Sequence, residues 1–134
     1  MQNNDLLAIY RCYLDCLNRQ DWDNLGKYVA DNVSYNGQFI GYAGYRNARQ
    51  EEFRTIPDLH FNVQLLMAKD SMVACRLNFN ITPAHDFLGL PVHGKLISFS
   101  ENVFYEFEAG KISKVWSVVD KAAIEAQLSS IPPP

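Results

Sequence analysis

ENVFYEFEAGKISKVWSVVD, residues Glu101 to Asp120, contains the clearest hairpin signal in the chain. Two runs rich in Val, Phe, Tyr, Ile and Trp flank Glu108-Ala109-Gly110. A short loop ending in Gly suits a hairpin whose Gly takes positive φ as a bulge. A three-residue loop sets Phe107 opposite Lys111, Tyr105 opposite Ser113, Val103 opposite Val115 and Glu101 opposite Ser117, all on one face. A two-residue loop instead pairs Val103 with Trp116. A slip of one residue moves every side chain to the other face, so the loop determines which residues line an interior pocket. The three-residue register is the expectation.

Upstream, strand patterns continue. Leu59, Phe61, Val63 and Leu65 alternate with polar residues, as do Val73, Cys75, Leu77, Phe79 and Ile81. A loop with Pro83, Gly89, Pro91 and Gly94 leads into a long strand with Ile97, Phe99, Val103, Tyr105 and Phe107 on its core face. Glu101 is the exception on that face. The first half is helical. Asn4 or Asp5 can cap a helix carrying Leu6, Ile9, Tyr10, Tyr13, Leu14 and Leu17, and Asp21 a short one with Trp22, Leu25, Tyr28 and Val29 inward. A strand near Val33 to Asn36 and a Gly37, Gly41, Gly44 loop precede a third helix over Tyr45 to Arg54, with Tyr45, Phe53 and Ile56 facing inward. After the hairpin, KAAIEAQL reads as a short helix, and 129–134 as a flexible tail kept from helix by its prolines. Helices followed by antiparallel strands predict an α+β fold in one domain, 1–134. The N-terminal helices pack on a strongly curved antiparallel sheet that forms a cone-shaped barrel with a central cavity. Leu96, Phe104, Ile112, Trp116 and Val118 make the outer sheet face too apolar for free solvent, which predicts a homodimer through that face.

At 134 residues the chain can bury a core without metal or disulfide help. Its net charge is −3, and 12 scattered Lys and Arg give no basic run, so neither nucleic acid nor an anionic membrane is an expected partner. MQNNDLL lacks the basic start and apolar core of a signal peptide, no run is long enough to span a bilayer, and Cys12, Cys16 and Cys75 read as free thiols. These features predict a cytoplasmic protein. Cys12 and Cys16 lack the further ligands a metal needs, so no metal site is expected.

IPDLHF at Ile56 to Phe61, FLGLP at Phe87 to Pro91 with Gly94-Lys95, Ser98-Phe99-Ser100, and AGKI followed by Trp116 and Asp120 together resemble the SnoaL-like polyketide cyclase family, within the nuclear-transport-factor-like superfamily. The resemblance covers most of the chain and implies the cone-shaped α+β fold. It also implies an intramolecular aldol ring closure without metal or cofactor, using an acid/base Asp on the last strand and a His or Asp on the preceding one. Counted from Gly110-Lys111-Ile112, those positions hold Ser117 and Val103. Neither shuttles a proton at neutral pH. A family His before the FLGLP loop falls on Pro83, with His85 two places later.

Glu101, across from Ser117 in the expected register, is the candidate to replace the missing Asp; burial there favours the neutral acid and suits acid/base work. Asp120 matches a family Asp, but Asp ahead of Lys-Ala-Ala-Ile is also what a helix N-cap looks like. His85 and His93 flank the loop over the expected cavity mouth. Tyr13, Tyr35, Phe53, Phe79, Phe87, Val103 and Tyr105 are the expected pocket wall, and Asn36 approximately matches a family pocket Asn. Such a wall suits a small apolar, oxygenated ligand. Two readings stay open: a cofactor-free cyclase, isomerase or hydratase, and a dimeric ligand-binding protein that kept the fold and lost the catalytic pair.

Overall fold

The computed structural model describes residues 3–129. Helix α1, Asn3–Asn18, and a 3₁₀ turn, Trp22–Lys27, precede β1, Val29–Tyr35, and the two-residue β2, Gln38–Phe39. Helix α2, Gly41–Thr55, is followed by β3, Asn62–Lys69; β4, Met72–Ile81; β5, Ile97–Glu108; β6, Lys111–Val119; and α3, Lys121–Ser129. The six strands form one open sheet in the order β2-β1-β6-β5-β4-β3. The α+β class holds. The sheet is mixed rather than wholly antiparallel, because β1 runs parallel to β6, and it does not close into a barrel.

Helix α1 buries Leu6, Tyr10, Tyr13, Leu14 and Leu17 as its spacing predicts. It starts at Asn3, so Asn4 and Asp5 lie in its first turn. Asn18 ends it by bonding the Phe61 backbone twice, donating from Nδ2 to the carbonyl (3.1 Å) and accepting the N–H at Oδ1 (2.8 Å), which ties α1 to the entry of β3. Asp21 makes no side-chain cap; it accepts instead from Asn24 Nδ2 at 2.7 Å. Helix α2 begins four residues ahead of the sequence expectation, and residues 130–134 of the expected tail lie outside the described residues.

The register of the β5–β6 hairpin differs from the three-residue expectation in an instructive way. The turn is Ala109-Gly110, both at positive φ (50° and 79°), so Glu108 faces Lys111 and Phe107 faces Ile112. This is the primed two-residue geometry whose twist matches the strands, and its second position is one that glycine fills without strain. A bulge then follows, and beyond it Glu106 pairs with Lys114, Val103 with Ser117 and Glu101 with Val119. Ile112 and Ser113 are consecutive and both buried. The extra residue restores the parity that the shorter turn had reversed, so Val115 and Ser117 face inward and Trp116 and Val118 outward. Ile112, expected outside, is fully buried.

A second bulge interrupts β3 between Val63 and Leu65. It turns Leu65, expected in the core, and Met67 outward, leaving Leu66 and Ala68 half-buried on the inner side. Strand β4 has no such break and buries Val73, Cys75, Leu77, Phe79 and Ile81 as expected. The inner face meets α1 and α2 around one core, and the outer face exposes Leu65, Met67, Phe104, Trp116 and Val118.

Candidate active site

A cavity between α2 and the inner sheet face has two lobes that share Tyr35, Glu52, Phe61 and Glu101. The outer lobe, about 130 Å³, is walled by Ile56, Leu59, Phe79, Phe87, Leu88, Phe99 and Val119 among others. The inner lobe, about 30 Å³, is walled by Tyr13, Tyr45, Arg49, Val103, Tyr105 and neighbours. Larger concavities at the β5–β6 turn and on the outer sheet face are shallow grooves that lack this enclosure.

The aromatic side of the outer lobe is a chain of rings. Phe61 meets Phe79 edge-on at 5.4 Å, Phe79 stacks on Phe99 at 5.3 Å, and Phe87 tilts over Phe99 at 5.6 Å. Phe87 reaches this position because Leu88 and Gly89 both take positive φ (52° and 76°), and Phe87 and Leu90 exchange backbone hydrogen bonds of 2.9 Å across the turn. The FLGLP segment is therefore a miniature hairpin whose tip lies at the mouth.

Glu101 is half-buried, and the Ser117 hydroxyl donates to its Oε2. Because Glu101 faces Val119 and Ser117 faces Val103, the two meet as diagonal neighbours on one face rather than as a direct pair. Burial pushes the Glu101 carboxyl above its ordinary value; the Ser117 hydrogen bond and the Arg49 charge oppose this, and Glu52 adds to it. Asn36 contributes from outside the cavity. Its Oδ1 accepts the Ser117 N–H at 2.8 Å and its Nδ2 donates to the Ser117 carbonyl at 3.4 Å, extending the β1–β6 pairing by one side chain. It holds Ser117 in place and does not line the pocket.

Sequence reasoning missed Arg49 and Glu52. Tyr45, Arg49, Glu52 and Ile56 recur at i, i+4, i+7 and i+11 along α2 and its cap, a helical stripe legible in the sequence but easily passed over because its two middle members are charged. Arg49 Nε donates to Glu52 Oε1. The guanidinium lies 4.9 Å from the Tyr45 ring centroid and 5.5 Å from that of Tyr35, close enough for cation–π attraction. Burial disfavours its charge, but the Glu52 carboxylate beside it outweighs that, and Arg49 stays protonated. The buried phenols satisfy one another: Tyr13 with Tyr45, and Tyr10 donating to Tyr105 at 3.1 Å. Burial is the main cause that raises the titration of each of these four hydroxyls, so they act as neutral hydrogen-bonding groups.

Of the sequence candidates, Tyr13, Tyr35, Phe79, Phe87, Glu101, Val103 and Tyr105 converge on the cavity. Phe53 does not; it packs edge-on against Trp22 at 5.7 Å and against Phe61 at 6.0 Å, one helix position away from the Arg49–Glu52 stripe. His85 also departs from expectation. It is exposed two residues before the FLGLP turn, which brings Phe87 and Leu88, and not the imidazole, to the mouth. His93 is paired with Asp86 at 2.5 Å on the exposed side of the same loop. Asp120 lies beyond the end of β6 and outside the cavity wall, where its Oδ1 accepts the Ala123 N–H at 3.1 Å and caps α3. No group of three or more His, Cys, Asp or Glu among the described residues has the arrangement of a metal site.

A family model of SnoaL-like polyketide cyclases matches residues 7–128. The crystal structure of a SnoaL-like polyketide cyclase from Agrobacterium tumefaciens is 48% identical, with a TM-score of 0.92 over 96% of this chain and 100% of that one. TsrD from Streptomyces laurentii (19% identity, TM-score 0.83, 98% and 99% covered) and IdmH from Streptomyces antibioticus (20%, 0.77, 97% and 100%) share the fold. No curated protein gives a significant sequence match.

Proposed function

The chain belongs to the SnoaL-like polyketide cyclase family, and we propose that Glu101 is the acid/base of a proton transfer it catalyses next to a carbonyl group. The reaction is of cyclase, isomerase or hydratase type, needs no cofactor, and acts on a small, largely apolar compound. One observation carries this reading: of the two carboxyls lining both lobes, Glu52 is ion-paired with Arg49, whereas Glu101 has no cation partner among the described residues. A carboxyl desolvated with no cation bonded to it is a stronger base when ionised and keeps its proton to higher pH, which suits both directions of transfer.

In the proposed step the C–H bond beside the substrate carbonyl breaks, its proton passes to a Glu101 oxygen, and the bonding electron pair moves onto the carbonyl oxygen. The Ser117 hydroxyl, donating to Glu101 Oε2, fixes the carboxylate's orientation and leaves the other oxygen for the exchange. Glu101 then returns the proton to another carbon, or the new carbon nucleophile adds to a second carbonyl, whose oxygen takes up the electron pair of its C=O bond and the proton from Glu101. The reading is tested by proton–deuterium exchange of acetophenone and cyclohexanone in D₂O, followed by NMR. Wild-type protein accelerates the exchange, and Glu101→Gln loses about 10²–10⁴-fold of that acceleration. Equal rates in both proteins would overturn the assignment, and binding without any exchange would favour the non-catalytic ligand-binding reading.

We also propose that two copies pair through the outer sheet face, supported by the exposed Leu65 and Met67 on β3, Phe104 on β5, and Trp116 and Val118 on β6. The cytoplasm is the proposed location, supported by three free cysteines, one of them exposed.

A further inference from the structure

The geometry points to Arg49 as the group that receives the substrate's carbonyl oxygen as it becomes an enolate, and to a substrate about the size of a single six-membered ring. This inference rests on Glu101 being the base. Arginine is rarely buried without a partner, and the Arg49 side chain is only 13% exposed, whereas its partner Glu52 is 40% exposed. A pair that served only to neutralise Glu52 could sit at the rim, where water already supports a carboxylate. Instead the cation is carried inward to the inner lobe. Its bond to Glu52 uses Nε, and the rings of Tyr35 and Tyr45 fix the guanidinium plane. Arg49 and Glu101 thus border one enclosed space, a fixed positive charge and a free carboxyl.

That pairing matches enolisation. As Glu101 removes the proton, negative charge moves from the carboxylate to the substrate oxygen, and a preorganised cation in a water-poor site stabilises that charge more than the neutral ground state. The oxygen belongs in the inner lobe, whose 30 Å³ is about one such group. The carbon skeleton belongs among the aromatic rings of the outer lobe. At about 130 Å³ this lobe is close to the roughly 150 Å³ of an engineered cavity that takes up benzene, and below the roughly 300 Å³ where drug-sized pockets begin. A polycyclic skeleton would extend past this lobe and out through its mouth. Glu52, Tyr35 and Tyr45 are positioning residues that hold the guanidinium.

A phenolate mimics an enolate bonded to a six-membered ring. The probe is 4-nitrophenol, whose ionisation is visible by absorbance, with 4-nitrotoluene as the neutral comparison. Wild-type protein is expected to bind the phenolate in preference and to lower the pH at which bound 4-nitrophenol ionises. Arg49→Met loses roughly 10- to 100-fold in phenolate affinity with 4-nitrotoluene affinity nearly unchanged, and Arg49→Lys recovers part of the loss. Because Arg49→Met leaves Glu52 without its cation, the Arg49→Met/Glu52→Gln double variant provides a second protein with no unpaired carboxylate, and it should show the same selective loss. The inference is overturned if both probes weaken together in both variants, if neither variant changes phenolate affinity, or if neither probe binds wild-type protein. Failure here with deuterium exchange still dependent on Glu101 removes Arg49's role alone, whereas exchange independent of Glu101 removes the reading beneath it.

Discussion

The two faces of one sheet depart from the usual distribution of residues in opposite directions. The inner face, packed under α1 and α2, holds Glu101 and meets Arg49, Glu52 and a set of buried phenols. The outer face exposes Leu65, Met67, Phe104, Trp116 and Val118, with Arg76 bridging Gln64 and Asn102 between them. Interior charge and exterior apolar surface are each costly alone. Their coexistence on one sheet supports the proposal that each face has a task beyond folding, chemistry inside and association outside.

The largest expected effect comes from exchanging the faces. Inserting one alanine between Lys114 and Val115 moves everything beyond it on β6 to the other side, bringing Trp116 and Val118 inward and turning Val115 and Ser117 out. Loss of several core contacts at once should cost more than about 4 kcal/mol, read as failure to fold or a collapsed denaturation midpoint. A fold that survived intact would mean that β6 absorbs the added residue in a second bulge and that its register does not separate the two faces.

Glu101→Gln comes next and sharpens the inner half of the comparison by opposing activity and stability. Turnover falls as described above, while stability moves the other way with pH. The folded carboxyl titrates above its ordinary 4.5 because burial penalises its charge. Its contribution to stability is therefore fully present below that value and is lost as pH rises through the raised one. The melting temperature of Glu101→Gln should accordingly gain on that of the wild type over this window, measured in parallel scans from acid to mildly alkaline pH. A constant difference across the window would show that the carboxyl is not desolvated.

The outer half is probed by Phe104→Glu/Trp116→Glu. Both side chains are exposed within one chain (53% and 37%), so the stability of the folded chain itself should change by only about 0.5 kcal/mol, whereas a dimer should become a monomer in light scattering. Monomeric wild-type protein at micromolar concentration would end the proposal. The smallest effect belongs to Asp120→Ala, off both faces: about 1 kcal/mol of stability from the lost α3 cap, with deuterium exchange unchanged.

The strand pattern of β4 and β5 was legible because alternation runs unbroken from Val73 to Ile81 and resumes from Ile97 to Phe107, with Glu101 standing out as the one charged residue on a core face. The bulges in β3 and β6 were not legible. Gln64 lies between apolar Val63 and Leu65, and beyond Ser113 the apolar Val115, Trp116 and Val118 fall on both phases, so period-two patterning does not choose between them. The Glu101–Ser117 contact was anticipated from a register two residues out at that position, because a turn one residue shorter and one added bulge residue together preserve parity. Arg49 and Glu52 were overlooked because a charged stripe on a helix ordinarily faces water, and only the packing of α2 over the sheet reverses that. His85 and Phe53 were drawn to the pocket by type and proximity, and the conformations of the FLGLP turn and α2 directed them elsewhere.

By itself the sequence determined the α+β class and the single carboxyl on a core face, because periodicity and turn chemistry are local properties, and its motifs carried the family resemblance. Tertiary structure alone decided which charges share an enclosed space, how large that space is, and which apolar residues remain outside. Those depend on bulges and helix rotation, where a shift of one residue costs little locally and reverses what every later side chain meets.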